Sequence, residues 1–517
     1  MTTITNAAGR KVISEINGES AIPFKGVGKF KPAGRRYGPA IASSSNYSPH
    51  GDKRVKSLRE ALEKSGLKDG MTISTHHHFR NGDFLANMVF DIVHTMGVKG
   101  LRWFPSASFP CHAHLISYLE DGTIERIEGS MNGPLGRFVS EGGMQGTGVL
   151  RSHGGRYQAI QDGEVKIDIA VIGAPAADLF GNANGLWGDS ACGTLGFALA
   201  DSQYAEKVIV ATDHPVEFPC YPWQIQGSHV DYVVQVERLG DPSKIISGTT
   251  QITKSPDRLL LAELTAKFCE VTGIIRNGFS FQSGAGGTSL AVGEYFKKIM
   301  VEKGIKARFA RGGSNKYLVS MLEEGFVDYI LDGQTFDLEG VRSMDKNPGH
   351  VSTTPFTSYN YHGKGNFAGL VDVVILGATE VDLGFNANVV THSDGTLLHG
   401  IGGWQNCLFS KTVILPIPLF RDRVPVVKDR VTTLCGPGEL IDVIITERGI
   451  AINPRRTDLI ELSKNSNLPV KTIEELKSEA DRICGIPKPP ELEDRVVAAI
   501  KWVDGTLIDV VHQVGSS

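Results

Sequence analysis

Hydrophobic positions along this chain follow two alternating patterns. Short β-branched runs bounded by turn residues predict strands in KGLRWFPSA, KIDIAVIGA, EKVIVATD, KARFARGG, LVDVVILGA, KTVILPI and LIDVIITERG. The runs are nearly continuous rather than alternating, as in strands covered on both faces. Between them lie stretches of helical period. Residues 52–66, DKRVKSLREALEKSG, put Val55, Leu58 and Leu62 on one stripe before a glycine stop. A later helix carries Leu85, Met88, Val89, Ile92 and Val93 on its apolar face, and another carries Val292, Phe296, Ile299 and Met300. The sum is an α/β pattern with largely buried strands. The first fifty residues show no period and predict an extended basic arm, with Lys25, Lys29, Lys31, Arg35 and Arg36 close together. After residue 485, ELEDRVVAAIKWV predicts a short helix in a C-terminal tail.

The pattern repeats. DIAVIGAPAADLFGNAN at 168–184 aligns without gaps to DVVILGATEVDLGFNAN at 372–388, and eight of the seventeen positions are identical. Upstream, residues 81–104 and 288–310 share a helix, a glycine stop and a strand. The repeats are therefore whole domains. Polar and turn residues at 241–258 separate them, which gives an arm at 1–50, domains at 51–245 and 255–485, and a tail at 486–517. A length of 517 residues agrees with two domains.

Composition narrows the function classes. A net charge of −4 with 21% charged and 41% hydrophobic residues is that of an ordinary globular enzyme and points to neither nucleic acid nor membrane. Seven scattered cysteines form no CxxC pair, which fits a reducing cytoplasm. The first twenty residues have no apolar signal region, and no apolar run reaches the length of a membrane span.

Candidate chemistry sits where strands run into loops. Each duplicated strand ends at a glycine, Gly173 or Gly377, followed by Asp178, Asn182 and Asn184 or by Asp382, Asn386 and Asn388. Such residues either hold a loop by Asx-turn bonds or contact a ligand. In FQSGAGGTSLAV, Gly284, Gly286 and Gly287 lie between a strand and a helix starting near Thr288. In LLHGIGGWQNC, Gly400, Gly402 and Gly403 leave backbone amides free to converge on an anion or a thioester oxyanion. Plain turns are the alternative for both.

The corresponding loop of the first half, ISTHHHFRNGDF, offers His76, His77, His78 and Arg80 before an N-cap at Asn81 or Asp83. A polycarboxylate, structural hydrogen bonds or a metal are the three readings. Metal is the weakest, because His76 and His78 point one way and His77 the other on an extended segment. Two carboxylates precede glycines, Glu141 and Asp332, the position of a nucleophile toward a thioester or of a solvated surface group. Cys111, beside His112 and His114, is a packing or free cysteine.

The segments FKGVGKFKPAGRRYGPA, STHHHFRNGD, WFPSASFPCHAHL, GNANGLWGDSACG, ILGATEVDLGFNANV, GIGGWQN and TERGIAINPRR together resemble the citrate lyase α family, within the wider coenzyme A transferase fold, over nearly the whole chain. The resemblance implies two tandem, duplicated coenzyme A transferase-like domains with mainly parallel sheets. It implies transfer of a carrier thioester from acetyl to citrate, giving citryl-carrier and acetate in the cytoplasm. Implied partners are a β subunit that cleaves citryl-carrier, a small γ acyl carrier protein and further copies of the chain. No cofactor is held by the chain, which acts on the carrier's coenzyme-A-like arm or on acetyl-CoA. His76, His77, His78, Arg80, Asn386 and Asn388 would meet citrate, and the two glycine loops the thioester arm.

Relatives in the wider fold use a glutamate in a Glu-x-Gly turn as covalent carrier. Here that turn reads Leu331-Asp332-Gly333, which agrees with direct attack of citrate on the acetyl thioester and leaves Asp332 and Glu141 as the carboxylates to test. A transferase for a related acid such as citramalate, and a non-catalytic ligand-binding protein of the same fold, are the alternative readings.

Overall fold

The computed structural model describes residues 2–32, 38–39, 51–245, 251–284 and 286–515. Two large sheets dominate. The first has seven strands, all parallel, in the spatial order Arg54–Val55, Tyr232–Gln235, Lys207–Thr212, Ile169–Gly173, Thr72–Thr75, Leu101–Pro105 and Ile124–Ile127. The second has nine, from His350–Ser352 through Val327–Thr335, Ala307–Ser314, Ser280–Ser283, Val373–Ile375, Val413–Pro416 and Val443–Thr446 to Gly449–Ile452 and Val470–Lys471. Only the Val443–Thr446 and Gly449–Ile452 pair is antiparallel.

Alternation along the second sheet shows how the halves join. Val374, Val413, Leu415 and Ile444 face one way, into a core shared with the first sheet's Ile172 and Val210. Val373, Ile375, Ile414 and Val443 face the other way, under the helices Pro256–Val271 and Gly287–Lys303. The halves are fused through one core rather than strung on a linker. Every segment predicted as a strand from its β-branched run contains one, and the helices Leu85–Thr95 and Gly287–Lys303 occupy their predicted places.

Three local expectations are corrected. Val55 belongs to an edge strand paired with Val234, and the helix starts only at Leu58, capped by the Ser57 hydroxyl. The tail carries no helix: Leu492–Lys501 is a strand paired with Leu507–Val514 and, in parallel, with Gly148–Leu150. The run VVAAI is buried on every side, so it carries no period by which helix and strand could be told apart. The beginning of the arm is also built: Thr3–Thr5 pairs with Lys11–Ile13, and Glu15–Ile16 with Glu19–Ser20 around Asn17-Gly18, both at positive φ as a tight hairpin turn requires. The Asn6 amide donates to the carbonyls of Leu507 and Ile508, which ties the start of the chain to its end. Of the basic cluster, Lys25 lies 5.5 Å from the Phe30 ring, while Arg35 and Arg36 are outside the described residues. No described helix is long and apolar enough to cross a membrane.

Candidate active site between the two halves

In parallel sheets the loops after the strand C-termini gather along one edge, and that edge of the nine-stranded sheet borders a cavity of about 2030 Å³. Gly284, Gly286 and Gly287 follow the strand Ser280–Ser283; Gly312 and Gly313 close the next strand, and Gly333 and Gln334 the one after. Gly400, Gly402 and Gly403 complete that wall. The opposite wall comes from the first half, with Arg137 and Glu141 at the helix Pro134–Ser140, and His153 and Phe197 deeper in. The volume exceeds the roughly 300–1,000 Å³ usual for one small ligand.

Both glycine loops are shaped by contact. Gly286 is the N-cap of the helix Gly287–Lys303 and brings no side chain to cap the amides of the first turn. At Gly287 a Cβ would lie 2.9 Å from the Gln251 carbonyl oxygen. Gly402 has φ +62°, a left-handed turn, and a Cβ on Gly400 would meet the Ser130 Cβ at 2.1 Å. The Gly402 carbonyl accepts the His153 amide at 2.8 Å, so the loop is fixed to the helix His153–Asp162 of the other half.

The triple histidine stands one layer behind the cavity wall. His76 and His78 are stacked and nearly parallel, with centroids 6.2 Å apart, just past the end of the strand Thr72–Thr75. His76 Nε2 lies 3.0 Å from the Asp201 carboxylate, which Arg156 also grips through two bonds of 2.7 Å. His78 Nε2 bonds to the Gly173 carbonyl at 2.8 Å. His77 Nδ1 lies 2.6 Å from Ser106 Oγ, and its ring stacks on His153 and touches Phe197. Burial holds the imidazoles of His77, His78 and His153 neutral. It pushes His78 down to about 4 and His153 to about 3, with Arg156 adding to the latter, while His77 falls well below its usual value through burial and then its histidine neighbours. Of the three readings of this loop, structural hydrogen bonds and ring contacts account for His76, His77 and His78, none of which lines the cavity.

A prediction follows for acid stability. An unfolded histidine takes its proton near pH 6.5, whereas folded His78 takes it only near 4, so stability is full above 6.5 and is lost as pH falls through that window. The urea midpoint will drop between pH 6.5 and 4, and His78→Asn will flatten the drop.

Arg80 is unusual in both backbone and partners. It sits at φ +53°, a left-handed conformation that costs a side-chain-bearing residue about 1–2 kcal/mol. Its guanidinium lies 4.8 Å over the ring of Phe336, a cavity residue, its Nη1 is buried without a partner, and no described carboxylate pairs with it. The N-cap expectation is off by a little: Asp83 Oδ1 accepts the Leu85 amide at 2.8 Å while its other oxygen bonds His112.

The remaining candidates separate clearly. Asp332 is fully buried and saturated: Ser314 Oγ at 2.5 Å, Thr335 Oγ1 at 2.7 Å, His350 Nε2 at 3.2 Å and the amides of Ser314 and Gln334 all reach its oxygens. It anchors the loop that presents Gln334 and does not itself line the cavity. Glu141 lines the cavity and is exposed. Asn386 and Asn388 do not line it. Asn386 bonds Asp382 and the Gly438 amide, and Asn388 bonds Glu380 and Thr391. Asp178 and Asn182 repeat the Asp382 and Asn386 bonds in the first half, so the duplicated loop is an Asx-turn device. Cys111 is a free thiol, and among the described residues no group of histidine, cysteine and carboxylate side chains is placed to hold a metal.

Several wall residues escaped the sequence reading. Arg137, Arg258 and Arg421 line the cavity, and Arg421 donates to the carbonyls of Thr379 and Ala378 at 2.9 and 2.8 Å. His153 follows an N-cap serine in SHGG, a helix-start signal that was available. Arg311, Gln282 and Tyr359 form a buried group under the wall: Arg311 Nη1 donates to Gln282 Oε1 at 2.5 Å, and its guanidinium lies 4.7 Å over the Tyr359 ring. Burial disfavours the Arg311 cation, and Tyr359 and Cys407 more than offset that.

The sequence profile described as "Citrate lyase, alpha subunit (CitF)" matches residues 51–514. The chain belongs to the citrate lyase α-subunit family. The citrate lyase alpha chain of Haemophilus influenzae is 41% identical over 464 residues, 89% of this chain and 93% of that one, and that of Escherichia coli K12 is 40% identical, covering 89% and 91%. A Streptococcus mutans protein assigned as the citrate lyase α subunit, solved in complex with citrate, superimposes with a TM-score of 0.93 at 41% identity over 99% of this chain and 100% of that one. A malonate decarboxylase α subunit from Acinetobacter baumannii, at 16% identity and a TM-score of 0.60 over 86% and 92% of the two chains, shares the fold. As a citrate lyase α subunit the chain is the transferase component of a multi-subunit enzyme, the activity expected from its motifs.

Proposed function

We propose that the interdomain cavity is where the thioester passes from acetyl to citrate, by direct attack of a citrate carboxylate. The observation that carries this reading is a cavity with two glycine loops along one wall and the first half as the other, with the half-buried Arg80 stacked on the cavity residue Phe336. The coenzyme-A-like arm lies along Gly284, Gly286, Gly287 and Gly400, Gly402, Gly403, with its phosphates toward Arg258 and Arg421. Citrate sits toward Arg80, where His77 and His153 supply neutral hydrogen-bonding groups. A carboxylate is already ionised at neutral pH, so the reaction needs alignment and oxyanion donors more than a base. Asp332, with both oxygens engaged, is not the nucleophile.

The physiological partners are the γ acyl carrier protein that brings the arm, the β subunit that cleaves the citryl product, and further copies of this chain. The chain holds no cofactor of its own, and the cytoplasm is its compartment. Incubation with acetyl-CoA and citrate, followed by mass spectrometry, will give citryl-CoA and acetate. Product from citramalate but not citrate would move the assignment to a related acid, and no thioester exchange with either would favour the non-catalytic reading.

A further inference from the structure

Arg311 is fully enclosed at 0% exposure, and among the described residues its Nε and Nη2 have no hydrogen-bond partner and no carboxylate lies against it. Burying a cation without a carboxylate partner is expensive, by several kcal/mol, and here neutral neighbours have to offset that cost. What surrounds it is informative. Gln282, its neighbour across the parallel strands, stands two residues before Gly284. Gln282 Nε2 donates to Cys407 Sγ at 2.9 Å, and Cys407 closes the short helix that begins after Gly403. Tyr359, stacked on the guanidinium, lines the cavity, and a Cβ on Gly403 would meet its hydroxyl at 2.4 Å. This enclosed cation therefore touches the supports of both glycine loops.

We propose that Arg311 is the fixed positive charge of the thioester cradle, holding Gln282 and Tyr359 so that the Tyr359 hydroxyl and the loop amides receive the oxyanion. The inference rests on the reading that the arm lies on these loops. In the first step a citrate oxygen forms a bond to the acetyl carbonyl carbon, whose π pair moves onto its oxygen. Collapse breaks the C–S bond, giving a mixed anhydride and a thiolate. The thiolate then attacks the citryl carbonyl, and collapse of that second oxyanion forms citryl thioester and releases acetate. One negative charge is carried throughout, and no proton or electron enters from the protein. Arg311 offers that charge a partner that the empty cradle lacks. It acts through Tyr359 and Gln282, so it is a positioning residue, whereas Tyr359 touches the reacting atoms.

The test is a coupled series in the full chain, with acetyl-CoA and citrate as substrates. Arg311→Met will lower kcat about 10²-fold with the KM for citrate changed less than about threefold, and Arg311→Lys will recover part of the loss. Tyr359→Phe will lower kcat about tenfold, and Arg311→Met with Tyr359→Phe will be no worse than Arg311→Met alone, as expected of groups that act as a unit. A folded Arg311→Met enzyme with unchanged kcat, or additive losses in the double variant, would overturn the inference. Should Arg311→Met fail to fold, Arg311→Lys and Tyr359→Phe decide alone, and normal kcat in both counts against it. If Gly400→Ala abolishes transfer while the Arg311 series is silent, this inference fails and the cavity assignment stands; if both are silent, the cavity assignment fails.

Discussion

Gly400→Ala is expected to lower kcat for transfer between acetyl-CoA and citrate by about 10²-fold, the effect of displacing one set of oxyanion donors. The added Cβ would fall 2.1 Å from Ser130 Cβ and 3.0 Å from Ser130 Cα, so the loop must move away from the first half. Overpacking of this kind costs about 1–3 kcal/mol, which a protein of this size survives. Folding is checked by the urea midpoint, and the loss of activity will be larger than the loss of stability accounts for. Removing the obstruction supplies the control: Ser130→Gly with Gly400→Ala will regain most of the activity, because of the three nearest contacts only the 3.0 Å one to Ser130 Cα remains. Equal activity of Gly400→Ala and the parent chain would remove this loop from the reaction.

The second large effect concerns Arg80. Arg80→Ala removes a half-buried charge but leaves a side chain at φ +53°, so its effects on binding and on strain are mixed. Arg80→Gly removes the charge and relieves the backbone. In steady-state kinetics Arg80→Gly will raise the KM for citrate about 10²-fold, the scale of losing one partner of a buried charged contact, while the KM for acetyl-CoA stays within about twofold. Its thermal stability will equal or exceed that of the parent chain, since a guanidinium whose buried Nη1 has no partner among the described residues is also lost. Unchanged citrate KM would place citrate elsewhere in the cavity.

Much of this fold could be read from the sequence because the strands are short apolar runs in parallel sheets, bounded by glycines that stop them. The duplication was visible for a related reason: the Asp and Asn residues that knit each loop are needed at the same spacing in both halves. That same visibility misled the site reading, since Asn386 and Asn388 repeat for the sake of the loop and bond within it. The C-terminal strand was hidden because VVAAI is buried on all sides and has no period.

At the site, strand-end loops pointed to the glycines and to the histidine layer. Burial decided what sequence could not: it makes His77, His78 and His153 neutral, and it encloses Asp332 among five donors. Arg311 had no motif around it. Its role depends on Gln282, Tyr359 and Cys407, which are brought to it only by the sheet register and the helix after the second glycine loop.

Direct transfer in the cavity is tested most sharply by following oxygen. In a single turnover with acetyl-CoA and citrate labelled with ¹⁸O in its carboxylates, direct attack sends one labelled oxygen into the released acetate and leaves every carboxylate of the protein unlabelled. Unlabelled acetate, with ¹⁸O recovered in Glu141, Asp332 or another side chain of the chain, would contradict it.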